Sequence, residues 1–85
     1  MDVQDVQYEY DIDMDYLYAS IGGPRLAVAV EVGDGVYVRV TPEWEVCGIE
    51  ILECGPLGII RENLNKEFVS ELITRFGKLA LERTR

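Results

Sequence analysis

The chain contains no histidine, which removes the commonest general base together with every Ser-His or Cys-His nucleophile pair. Its only cysteines are Cys47 and Cys54. Extended chain between them spans about 23 Å, several times the reach of a disulfide, so they cannot bridge each other without a sharp reversal. They also lack zinc-ligand spacing and further cysteine or histidine partners. Two unpaired thiols fit a reducing compartment, and the expected location is the cytoplasm. No stretch approaches the ~20 apolar residues of a membrane helix. Met1 to Asp15 carries six carboxylates and no base, the opposite of a secretory leader, so neither a membrane span nor export by signal peptide is expected.

Bases are scarce as well. Residues 1 to 60 hold twelve acids against only Arg25 and Arg39, residues 61 to 85 hold four acids against six bases, and the net charge is −8. Phosphate backbones repel such a body, so nucleic-acid binding is not expected, whereas a basic protein partner would be attracted. What remains is ordinary globular composition, with 48% hydrophobic and 28% charged residues in 85. A chain of this length makes one domain with a thin core, burying only about 60 to 65% of its unfolded surface, and self-association is one way to cover more.

The predicted fold class is α+β: an antiparallel β-meander over residues 6–53, a loop over 54–64 and an amphipathic helix over 66–82 packed on the sheet. Val6, Tyr8 and Tyr10 alternate with Gln7 and Glu9, as a half-buried strand requires. After a break at Asp11 to Asp13, a second strand from Met14 to Ile21 opposes Leu17, Ala19 and Ile21 to Tyr16 and Tyr18. Gly22, Gly23 and Pro24 turn the chain into a third strand, Leu26 to Val32. Gly33, Asp34 and Gly35 carry a short-loop hairpin signal before a fourth strand, Val36 to Val40. Pro42 interrupts the ladder ahead of a fifth, Val46 to Glu53, with Cys47, Ile49 and Ile51 on one side and Val46, Glu50 and Leu52 on the other. Asn65 can cap a helix in which Phe68, Val69, Leu72, Ile73, Phe76, Leu79 and Ala80 follow the 3.6-residue period. Arg83 and Arg85 complement its negative end, while Gly77 costs about 1 kcal/mol relative to alanine and calls for close packing.

Strands three and four read as apolar on both faces, through Val28, Val30, Val32, Val36, Val38 and Val40 against Ala27, Ala29 and Tyr37. One helix covers one face. A homo-oligomer, most simply a dimer, is therefore expected, with Tyr8, Tyr10, Tyr16, Tyr18, Tyr37 and Trp44 as candidate contact residues.

Tyr10-Asp11, Asp15-Tyr16-Leu17-Tyr18, Glu31-Val32-Gly33-Asp34-Gly35-Val36 and Gly48-Ile49-Glu50-Ile51-Leu52, in this order and spacing, resemble the small bacterial and archaeal family called Domain of Unknown Function 2283. The resemblance covers Val6 to Glu53 and implies a small β-rich fold with no catalytic residues to carry over. The chain departs from that pattern at Thr41-Pro42-Glu43-Trp44-Glu45, where an Asp and Gly turn is usual.

Asp11, Asp13 and Asp15 open like a calcium loop, but Tyr16 stands where the loop's glycine belongs and Gly22 where its bidentate acid belongs, leaving only weak metal candidates. No cofactor is expected. Glu50, inside an apolar strand, either pairs with Arg39 or Arg25 across the sheet or lies solvent-exposed at an edge. Trp44 either caps the core's edge or anchors a partner. The function expected is that of a non-enzymatic, self-associating interaction module that binds a basic protein in the manner of an antitoxin. The alternative is a small-ligand or metal-dependent enzyme using Asp11, Asp13, Asp15 and Glu50.

Overall fold

Alternating apolar residues become strands here because a second surface exists for them to face. The computed structural model describes residues 2–83, so Arg85, assigned above to the helix end, lies outside the described residues. Strands β1 (Val6–Asp11), β2 (Tyr16–Ile21), β3 (Val28–Gly33), β4 (Val36–Val40) and β5 (Val46–Ile51) form one antiparallel sheet. Helix α1 (Lys66–Arg83) packs across one face, giving the α+β arrangement. Asn65 caps α1, its Oδ1 accepting from the Phe68 amide at 2.8 Å.

Strand order departs from a simple meander. It runs β1-β2-β5-β4-β3, so β2 pairs with β5, and residues 22–27 carry the chain past the ends of β5 and β4 to the far edge. Burial explains the arrangement. Cys47, Gly48, Ile49 and Ile51 are all buried, which suits β5 to the centre, whereas β3 has one buried residue, Val32, and suits an edge. Met14 and Asp15 belong to the β1–β2 turn, and Leu26 and Ala27 precede the β3 ladder, so both strands begin two residues later than expected.

Directly paired residues share a face. The registers Tyr8↔Ala19, Tyr10↔Leu17, Leu17↔Ile51, Val38↔Ile49 and Val30↔Val38 place all of these beneath α1. The core joins them to Val69, Leu72, Ile73 and Ala80 of the helix. Each fully buried aliphatic side chain contributes about 1.5–3 kcal/mol. Leu79, expected in the helix's apolar stripe, is 39% exposed.

The sheet is not apolar on both faces. Val32, Val36, Val38 and Val40 are all buried on the helix side, and a register step between Glu31 and Gly33 keeps Val32 there. A second step, between Arg39↔Gly48 and Val40↔Val46, leaves Cys47 as an extra residue. Such a bulge sets Cys47 and Gly48 together opposite Arg39, on the open face. Val46, Ile49 and Ile51 therefore point to the helix, and Cys47 is parted from Ile49 and Ile51, the reverse of simple alternation.

Two glycines allow the close approaches this requires. A Cβ on Gly77 would lie 3.0 Å from Val46 Cγ2, which accounts for glycine inside the helix. A Cβ on Gly48 would be driven into the backbone carbonyl oxygen of Ala19, on the seam between β2 and β5. Gly48→Ala is expected to destabilise the fold by about 2 kcal/mol or more, because the atoms it would meet, at Ala19 and Ser20, are backbone that cannot swing aside. Urea denaturation checks this; a midpoint equal to that of the unsubstituted protein would contradict it.

Candidate functional site

Alternation dictates that whatever β1 to β5 do not send to the helix they send to the opposite side. Across the middle of that open face the registers align Glu9, Tyr18, Glu50, Tyr37 and Glu31, one residue from each strand. The neighbouring row is Gln7, Ser20, Gly48, Arg39 and Ala29. Tyr16, Tyr18, Tyr37, Arg39 and Glu50 are each half-buried, although no further layer covers them.

The candidate contact tyrosines therefore do not share one face of the sheet. Tyr8 and Tyr10 pack against the core beneath the helix, where the Tyr8 hydroxyl donates to the Leu64 carbonyl at 3.2 Å. Tyr16, Tyr18 and Tyr37 lie on the open face. The cause is register: Tyr8 opposes Ala19 and Tyr10 opposes Leu17, so the tyrosines of β1 follow the inward residues of β2.

Glu50 lies between Tyr18 and Tyr37. Burial and then the Glu50 carboxylate push the Tyr16 phenol above its ordinary value, which also brings Tyr16 to this group. Neither arginine proposed for Glu50 pairs with it in an ion pair among the described residues. Arg39 donates instead to the Tyr18 hydroxyl and stands over the Tyr18 ring at 5.7 Å, within cation–π range. Arg25 pairs with Glu45 at 3.2 Å. The open face thus presents three aromatic rings around one carboxylate, with Glu9 and Glu31 at its edges.

Trp44 is 57% exposed and does not cap the core. Its φ of 64° lies in the left-handed region that favours glycine. The turn is held by Thr41, whose backbone oxygen accepts from the Trp44 amide and whose hydroxyl accepts from the Glu45 amide.

The three aspartates do not converge on a metal. Asp11 Oδ1 accepts from the Asp13 and Met14 amides, closing its own turn. Asp15 Oδ1 accepts from the Tyr10 hydroxyl at 2.6 Å, and its Oδ2 accepts from the Gly55 amide at 2.6 Å. Its backbone oxygen accepts from the Cys54 amide. Asp15 therefore clamps the β1–β2 turn to the segment after β5. Among the described residues no group of three or more acidic, cysteine or histidine side chains could hold a metal ion. Cys54 is fully buried in the core, and burial, then Asp15, pushes its thiol up to about 11, so it stays protonated at neutral pH.

No protein-family model, curated protein or solved structure matches the chain.

The clamp titrates in opposite senses at its two ends. The Tyr10 hydrogen bond, then the Gly55 amide, hold the Asp15 carboxyl below its usual range, so its contribution to stability is present above the unfolded carboxyl's pKa and is lost as pH falls through the lower folded value. The Asp15 hydrogen bond raises the Tyr10 phenol to about 12, so that contribution is full below the unfolded phenol's pKa and is lost as pH rises through 12. Ultraviolet titration of tyrosinate is expected to find one phenol ionising near 12, and Asp15→Asn to return it toward the ordinary value of 10.0. An unchanged titration curve would show that the clamp does not hold in solution.

Proposed function

We propose that this chain is a non-enzymatic interaction module that holds a basic segment of another protein on its open sheet face. The observation that carries this reading is Glu50, set between Tyr18 and Tyr37 with Tyr16 beside it. Tyrosine faces attract a guanidinium or ammonium group through their quadrupole, and a carboxylate among them supplies the counter-charge. Each cation–π contact of this kind contributes about 0.5–2 kcal/mol, more as water is excluded. Glu9 and Glu31 at either end of the row, and a net charge of −8, extend the attraction beyond contact distance and steer a basic partner in. An antagonist of a basic protein, acting as an antitoxin does, is one role this chemistry would serve.

The same row argues against a second copy as occupant of this face. Its three carboxylates outnumber Arg39, the one base of the neighbouring row, so two-fold pairing would set like charges against each other. Self-association is the second reading and belongs to the β3 edge, where Leu26 is 83% and Val28 68% exposed. Further along that edge Arg83 donates to the Glu31 carbonyl at 3.0 Å and blocks strand addition. Light scattering across a dilution series separates the readings: mass rising with concentration and abolished by Val28→Lys supports edge pairing.

Binding of an arginine-rich peptide, followed by calorimetry at two salt concentrations, tests the principal reading. Glu50→Lys is expected to weaken it by at least about tenfold, or 1.4 kcal/mol, and added salt to weaken it further. Tyr37→Ala should lose a smaller share, with circular dichroism unchanged. Equal affinity for the Glu50→Lys protein would overturn the assignment.

A further inference from the structure

One end of the open face holds a recess of about 490 Å³ that shares only Tyr18 with the basic-partner reading. It is lined by Gln7, Tyr18, Ser20, Arg25, Arg39 and Cys47, under the glycines of residues 22–23. Two features of topology create it. Residues 22–27 must cross from β2 to β3 past the ends of β5 and β4, which carries Arg25 over the sheet. Below the crossing, the bulge turns Cys47 out to the open face beside Arg39.

The chemistry of the lining runs against that of the whole chain. Twelve acids and two bases occupy residues 1 to 60, yet both bases line this recess and no carboxylate does. Arg39 uses one N–H on the Tyr18 hydroxyl and Arg25 one on Glu45, out of five donors on each guanidinium. Gln7 and Ser20 add further donors. Gly22 and Gly23 leave the loop backbone uncovered, since a Cβ at either would meet nothing within 4 Å. Two guanidiniums with hydroxyl and amide donors, of which only Arg25 meets an acid, Glu45 on its outer side, form an oxyanion site, and the fork of Arg suits a phosphate oxygen pair. The volume exceeds that of phosphate alone and falls within the range of small-molecule pockets.

We propose that this recess binds a small phosphorylated organic molecule, its phosphate held by Arg39 and Arg25 and its remainder lying along Ser20 and Cys47. Tyr18 is common to both sites, but Tyr16, Tyr37 and Glu50 do not line the recess, so variants at Glu50 and Tyr37 test the basic-partner face and variants at Arg25 and Arg39 test the recess.

Titration of inorganic phosphate into the full chain at constant ionic strength, followed by amide NMR, tests it. Saturating shifts at Gly22, Gly23, Arg39 and Cys47 are expected. Arg39→Gln should raise the dissociation constant at least about tenfold, while Arg75→Gln, on the exposed side of α1, should leave it unchanged. A phosphate monoester should bind more tightly than inorganic phosphate, and acetate more weakly. Linear, non-saturating shifts, shifts at Arg61, Arg75 and Lys78 equal to those in the recess, or an Arg39→Gln protein that binds as well as the original would each overturn the proposal. Arg25→Gln gives a second, independent loss should Arg39→Gln disturb the sheet, because Arg25 lies outside every strand.

Discussion

The pairing of β2 with β5 holds the rest of the structure together. The β1–β2 hairpin and the β3–β4–β5 meander are each too small to bury their own apolar side, and they become one sheet only along this seam. Its closeness depends on Gly48, where any side chain would meet the Ala19 carbonyl. Once the seam closes, Leu17 and Ala19 lie beside Ile51 and Ile49, and the helix has a continuous floor on which to dock. The Asp15 clamp reinforces the join from the other end, tying the β1–β2 turn to Cys54 and Gly55 just beyond β5.

The seam also composes the open face. Tyr18 belongs to one half of the sheet, and Glu50, Tyr37 and Arg39 to the other. Neither half alone surrounds the carboxylate with rings or sets a guanidinium over a phenol. Any binding on this face is therefore coupled to the same pairing that assembles the core, and a ligand bridging Tyr18 and Tyr37 would stabilise the folded chain by mass action.

Much of this was legible in the sequence. The element types, the cap at Asn65 and the packing demand at Gly77 follow from periodicity, side-chain chemistry and glycine's lack of a Cβ. The site was harder to read for two reasons. Tyrosines on adjacent strands alternate identically whether they share a face or not, and only the register with Ala19 and Leu17 separates Tyr8 and Tyr10 from Tyr16 and Tyr18. The bulge at Cys47 reverses the alternation within one strand, which sent Cys47 to the wrong side and Val46 to the face of Glu50.

By itself the sequence determined which segments are strands and helix, the net charge of −8, and the absence of histidine, because these depend on residue identity and local spacing. Tertiary structure alone decided that β5 lies at the centre, that Arg25 meets the recess beside Arg39, and that Glu50 lies among tyrosines and not against an arginine. Those outcomes depend on which strand edges pair across long stretches of chain. That choice is made by the burial of β5 between β2 and β4 and the space at Gly48, neither of which any local pattern records.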